Sequence, residues 1–268
     1  MGQRLGIIAG AGQVPFFICE KAQEQGYRCV VAGIRREAED SLEKTVKVME
    51  WFDIQDISGL ISFFQKNGVK EAVFAGKIGH RTIYGGKELR MILSSLQNNL
   101  KDRRPTALIE AVFSFFSQHG ITIKDPTPFI ASSFCNTGVL TLEQLSPEVE
   151  EDIKFGWSLA KKLADSDIGQ TLIIKEKAVV AVEGMEGTDE AIKRGGELAG
   201  EGVVAVKVSR SSQDPRIDLP AVGLSTIKSL CQVRGKALGF EAGKVAFFQK
   251  KDAVSFANEH GLSIVVKE

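Results

Sequence analysis

Two carboxylates flank one guanidinium in the stretch Gln213-Asp214-Pro215-Arg216-Ile217-Asp218-Leu219-Pro220. Hard divalent cations take carboxylate oxygens and arginine pairs with phosphate, so this trio has the chemistry to hold a metal and a phosphate at one place. Asp214 and Leu219 each precede a proline, which biases both toward extended backbone. In an extended segment Asp214, Arg216 and Asp218 share one side, while Ile217 and Leu219 face the other. A surface turn holding one ion pair is the competing reading.

Other segments carry candidate chemistry at glycine-rich turns. Gly10-Ala11-Gly12 closes the first apolar run, where a dinucleotide phosphate loop would sit. Pro15 stands in place of the third glycine of that fingerprint, and the next strand ends in Gly33-Ile34-Arg35-Arg36 without a ribose-binding acid. NAD therefore fits poorly, whereas the arginine pair leaves a 2′-phosphate, and so NADP, open. Gly76-Lys77-Ile78-Gly79-His80-Arg81 follows another strand, making Lys77 a phosphate contact and His80 a candidate base. Glu183-Gly184-Met185-Glu186-Gly187-Thr188-Asp189 ends a strand and opens a helix. Thr188 or Asp189 can cap that helix, and Glu183, Glu186 and Asp189 could offer metal oxygens. Asp167, in Ser166-Asp167-Ile168-Gly169-Gln170, reads as a ligand or a turn residue.

The elements that must position these residues follow from apolar patterning. Strands are expected at Leu5–Ala9, Cys29–Ile34, Glu71–Ala75 and Ile121–Ile123, with helices from Pro15, over Ile57–Gln65, Glu88–Gln97 and Thr106–Gln118. Periodicity lapses from Asp125 to Pro147, which places a domain junction there. Beyond it come a helix at Val149–Ala164 and strands at Gln170–Ile174 and Val179–Glu183. A helix from Thr188, a strand at Val203–Val208 and a helix from Ser225 follow. Strand Val245–Phe248, helix Ala253–Glu259 and strand Leu262–Val266 complete the pattern. Alternating strands and helices predict an α/β fold of two α/β domains, 1–130 and 131–268, the first Rossmann-like with a parallel, doubly wound sheet.

Bulk properties narrow the function. The 268 residues balance 34 Lys and Arg against 34 Asp and Glu, with no basic block, so no nucleic acid is expected as a partner. Four scattered cysteines form no metal or disulfide pattern, and no signal-peptide anatomy opens the chain, which together predict a cytoplasmic protein. Phe113, Phe115, Phe116, Phe129 and Phe134 read as core, or as the wall of an acyl-chain pocket.

Several of these segments, taken together, resemble one family along almost the whole chain. They are Leu5-Gly6-Ile7-Ile8-Ala9-Gly10, Ala75-Gly76-Lys77, Asp167-Ile168-Gly169-Gln170, Val182-Glu183 with Glu186-Gly187-Thr188-Asp189, and Lys207. Gln213-Asp214 with Arg216 and Asp218-Leu219-Pro220, Gly223 with Thr226-Ile227, and Glu241-Ala242-Gly243 complete the set. The chain resembles the UDP-2,3-diacylglucosamine pyrophosphatases that are unrelated to calcineurin-like phosphoesterases. It departs at Gly10-Ala11-Gly12, where the family has three glycines, and at Arg210-Ser211, where the family has Lys-Pro.

The resemblance implies a Mg2+-assisted hydrolase of lipid A biosynthesis that releases 2,3-diacylglucosamine 1-phosphate and UMP. For that reaction the residue chemistry gives catalytic roles to Asp214, Asp218 and Arg216. The two aspartates position metal and water, with either as metal ligand or base, and Arg216 stabilises phosphate charge. Substrate contacts would fall on Gly10, Ala11, Gly12, Gly76, Lys77, Asp167, Gln170, Glu183, Gly187, Thr188, Asp189, Lys207 and Gln213. A UDP-linked diacylated glucosamine substrate, a lipid cavity between the domains, a homodimer and peripheral contact with the inner face of the cytoplasmic membrane complete what it implies. An NADP-dependent oxidoreductase and a non-catalytic nucleotide- or lipid-binding protein are the alternatives.

Overall fold

In the computed structural model, residues 2–77 and 105–268 are described, with side chains of 105–109 left aside. His80 and the helix expected over Glu88–Gln97 lie outside the described residues. The chain divides into two units, one of 1–130 with Pro215–Ile217 and one of 131–214 with 218–268.

The first unit is built on short strands with little polar surface. β1 (Arg4–Ala9) lies between β2 (Arg28–Ile34) and β4 (Glu71–Ala75), with β3 (Met49–Phe52) and β5 (Thr122–Ile123) outside them. All four pairings are parallel, in the order β3-β2-β1-β4-β5. That is the order of a doubly wound dinucleotide-type sheet, so the Rossmann-like expectation holds. Strands covered on both faces read as continuous apolar runs, and Leu5, Ile7, Ile8 and Ala9 are all buried. Helices α1 (Val14–Glu24), α2 (Ile57–Lys66) and α3 (Pro105–Gln118) supply crossovers, and the short α4 (Thr127–Ile130) closes the unit. α2 starts where the Asp56 carboxylate accepts the Gly59 N–H at 2.8 Å, a side-chain cap on an otherwise orphan donor. Phe113 and Phe116 belong to the core against α2, and Phe129 is buried edge-on to Tyr27, which bears out the core reading for these three.

The second unit has helices α5 (Pro147–Asp165), α6 (Thr188–Ala199), α7 (Leu224–Gln232) and α8 (Lys250–Glu259) around a six-stranded sheet. Its order is β6 (Gly138–Val139), β13 (Ser263–Lys267), β11 (Ala237–Glu241), β9 (Val204–Lys207), β7 (Thr171–Lys175), β8 (Ala178–Val182). β9, β11 and β13 run parallel, but β7 opposes both β8 and β9, and β6 opposes β13. The sheet is therefore mixed. The cause is local: Glu176 and Lys177 both take left-handed backbone, at φ 50° and 59°, and close a two-residue hairpin that only antiparallel strands can share. Two further short strands, β10 (Ala221–Val222) and β12 (Ala246–Phe247), pair in parallel.

Candidate active site

In the second unit the carboxyl ends of β9 and β11, the start of β7 and the end of β8 meet at one edge of the sheet. Register fixes this, since Thr171 lies opposite Lys207, Lys207 opposite Phe240, and Leu172 opposite Val182. Ligands of open α/β sheets bind at the carboxyl ends of parallel strands, and most of the residues singled out in this half of the sequence gather there.

The innermost layer is a buried ion pair with two hydroxyls. Lys207 Nζ lies 3.5 Å from Glu183 Oε2, with side-chain exposures of 6% and 13%. It also donates to Thr188 Oγ1 at 2.6 Å and to Thr171 Oγ1 at 3.2 Å, and Thr188 Oγ1 donates to Glu183 Oε1 at 2.8 Å. Burial alone would push the Glu183 carboxyl up. The Lys207 charge and hydrogen bonds from Thr171, Thr188 and Lys207 outweigh burial and hold it below the ordinary carboxylate range.

Thr188 is thereby spent on the pair and does not cap α6. Gly187 takes the cap position at φ 89°, a conformation suited to glycine. Asp189 follows, half-buried, in the first turn of the helix. Gly169 brings the two loops together: a Cβ there would stand 1.8 Å from the Glu183 carbonyl oxygen.

Outside this layer is a network of amides and charges. Arg210 Nη1 pairs with Asp167 Oδ1 at 2.5 Å, and Arg210 Nε donates to Gln213 Oε1 at 3.1 Å. Gln213 Nε2 donates to the Asp218 carbonyl at 2.5 Å. Gln170 Nε2 reaches both Gln213 Oε1, at 3.2 Å, and Asp218 Oδ2, at 3.4 Å. Gln170 Oε1 is left buried without a hydrogen-bond partner. Asp167, Gln170, Lys207, Gln213 and Asp218 thus come together, and Arg210 and Thr171 join them. Arg210 is the residue the sequence reading passed over as a site member, although its charge beside Gln213 was visible.

Residues 214–218 differ from the extended row expected of them. The Asp218 N–H donates to the Asp214 carbonyl at 3.3 Å, closing a turn over Pro215–Ile217. The three charged side chains therefore do not alternate along one face. Ile217 packs on the first unit's core, and the Arg216 guanidinium carbon stands 5.2 Å from the centre of the Phe113 ring. Burial of one isoleucine in a distant core overrides the local bias of two X–Pro steps.

The remaining candidates belong to the first unit. Gly10, Ala11 and Gly12 follow β1, and Gly76 and Lys77 follow β4, with Lys77 exposed. The two loops are hydrogen-bonded to each other. Gly10 N–H donates to Ala75 O at 2.8 Å, Ala11 N–H to Lys77 O at 2.7 Å, and Lys77 N–H to Ala11 O at 3.1 Å. Gly76, at φ 87°, is required here because a Cβ would come within 2.5 Å of the Ala11 carbonyl oxygen. A pyrophosphate loop uses such N–H groups for its ligand, and two of them are already committed.

Among the described residues, no three His, Cys, Asp or Glu side chains gather as a metal site. No helix of the described residues is long and apolar enough to cross a membrane.

Comparison with known proteins gives the same partition. Residues 4–133 match the LpxI N-terminal domain, and residues 136–265 match the LpxI C-terminal domain. A UDP-2,3-diacylglucosamine pyrophosphatase LpxI from Caulobacter vibrioides is 24% identical over 98% of this chain and 97% of its own length. Among solved structures, CobK precorrin-6A reductase is similar over 98% of this chain and 87% of its own, at 9% identity and a TM-score of 0.37. A UDP-glucose-4-epimerase from Stenotrophomonas maltophila covers 45% of this chain and 35% of its own, at 16% identity and a TM-score of 0.30.

Proposed function

This chain belongs to the LpxI family, and we propose that it hydrolyses the pyrophosphate of UDP-2,3-diacylglucosamine to 2,3-diacylglucosamine 1-phosphate and UMP. The observation that carries the reading is the match of both LpxI domains across residues 4–133 and 136–265. The polar edge of the second unit supports it, because an anhydride cleavage needs cations for phosphate charge and oxygens that orient water. Water supplies the oxygen that forms the new P–O bond, one bridging P–O bond breaks, and the proton released passes to a carboxylate.

Asp214 and Asp218 are the carboxylates we assign to water and metal, and Arg216 and Lys77 the cations we assign to phosphate. The donor set suits Mg2+, which binds through one or two carboxylates together with substrate phosphates and water. Gln170 Oε1, a hard oxygen buried without a hydrogen-bond partner on the side chain whose Nε2 reaches Asp218 Oδ2, adds to that fit. When bound, the ion would neutralise phosphate charge and lower the pKa of a coordinated water. Glu183, Gly187, Thr188, Asp189, Lys207, Asp167 and Gln213 are assigned to the substrate on the same reading. A homodimer and peripheral contact with the inner face of the cytoplasmic membrane go with it, checked by light scattering and by flotation with anionic vesicles.

The test is UMP release from UDP-2,3-diacylglucosamine with Mg2+, followed by chelation. Activity abolished by the chelator and restored by Mg2+ is expected. Asp214→Ala and Asp218→Ala should each lower kcat on the order of 100-fold or more with the melting temperature kept. Near-normal turnover in both variants would sink the assignment.

A further inference from the structure

The last turns of α5 and Asp167, two residues past its end, meet the segment 209–211, which leads into the residues just assigned to chemistry, at three consecutive positions. Lys161 Nζ donates to the Ser209 carbonyl at 2.8 Å and to both Glu241 oxygens at 3.0 Å. Glu241, 4% exposed at the end of β11, also accepts the Ser209 N–H at 2.8 Å and Lys244 Nζ at 2.9 Å. Both polar groups of the Ser209 peptide are therefore held by one ion pair. Four residues along the helix from Lys161, on the same face, Asp165 accepts the Ser211 N–H at 2.7 Å and the Ser211 Oγ at 2.9 Å. Two residues further, Asp167 pairs with Arg210, which in turn orients Gln213.

We propose that Lys161, Glu241 and Asp165 are positioning residues that set the backbone of Ser209 and Ser211, and through it the placement of Gln213, Asp214 and Asp218. The proposal rests on the hydrolase reading for its kinetic arm only. Charged groups on rigid elements bonded to backbone fix where a loop starts, and misplacement of a reacting group by about 1 Å can cost about 100-fold in rate. None of the three side chains needs to touch substrate for this.

Asp165→Ala and Lys161→Met test it in the full-length protein by two readouts. Amide hydrogen exchange at Ser211 in the first variant should accelerate by about 10-fold or more, with the exchange of β9 and β11 unchanged. In both variants kcat should fall by about 10-fold or more while KM stays within about 2-fold, since orientation in the transition state is what is lost. Lys161→Arg, which keeps the charge, should recover part of kcat. Unchanged exchange at Ser211, or kcat within about 2-fold of the parent in both variants, would overturn the proposal. A parent protein with no hydrolase activity would instead count against the function, and the exchange arm would still decide whether the clamp holds the loop.

Discussion

Lys207 places its ammonium 3.5 Å from the Glu183 carboxylate with both side chains largely out of water. Such a pair gains little over a hydrophobic replacement of both partners, but removing one partner leaves an uncompensated charge. Lys207→Met should therefore cost roughly 3–5 kcal/mol at neutral pH, read from urea midpoints. The sign of its pH dependence follows from Glu183, whose carboxyl is held below the ordinary range in the folded parent. A depressed folded pKa contributes stability that is present above the unfolded value and lost as pH falls through the folded one. In the variant the cation is gone and burial pushes the carboxyl up, so protonated Glu183 relieves the strain. The gap between parent and variant should close on acidification, and a gap constant with pH would contradict the pairing. Glu183 and Lys207 were visible in sequence as candidates, but not as each other's partners. Their coupling depends on β8 and β9 both flanking β7, which no local pattern encodes.

At the scale of elements, Asp152 on α5 accepts the Glu176 N–H at 3.0 Å and the Lys177 N–H at 2.6 Å, fixing the turn of the β7–β8 hairpin. Asp152→Ala should destabilise the protein by roughly 1–2 kcal/mol in urea denaturation. The turn stands at the opposite end of β7 from Thr171, so kcat should be unchanged. A loss of kcat with stability intact would show that the hairpin end matters to the site. Long amphipathic elements such as α5 were legible because their apolar spacing repeats over several turns. β11, Ala237-Leu238-Gly239-Phe240-Glu241, was not: it is short, fully buried and shows no alternation to read. β3 escaped for the opposite reason, since Met49-Glu50-Trp51-Phe52 is a four-residue strand whose first three residues stay at least partly open to solvent. The turn at Pro215–Ile217 was misread because Ile217 answers to a core assembled from residues about 100 and more positions earlier. Of the clamp only Glu241 stands in a segment that carries the resemblance, and nothing in sequence pairs it with Lys161, 80 residues away.

At the scale of the whole molecule, formal charge is balanced, so acid sensitivity depends on where paired carboxylates sit rather than on net repulsion. Among the described residues, five carboxylates held below the ordinary range, Glu148, Asp165, Glu183, Glu186 and Glu241, all lie in the second unit. Glu241 is the best buried of them. Burial pushes it up, while hydrogen bonds from Lys244, the Ser209 N–H and Lys161, with the Lys161 charge, pull it down further. Each such group stabilises fully above the unfolded carboxylate range and stops doing so as pH falls through its folded value. The second unit should therefore give way first on acidification, below about pH 4.5, the upper edge of the ordinary carboxylate range. The chain carries its own reporters, because one of its two tryptophans, Trp51, is in the first unit and the other, Trp157, in the second. Trp51→Phe leaves fluorescence from Trp157 alone, and Trp157→Phe leaves Trp51 alone. The Trp157 emission should shift to the red at a higher pH than the Trp51 emission, by about half a pH unit or more if two of the buried pairs contribute about 1 kcal/mol each. Glu241→Gln, which removes one titrating carboxylate, should narrow that separation. Coincident transitions would mean that the two units unfold as one, and the reverse order would contradict the assignment of acid sensitivity to the ion pairs at the edge of the second sheet.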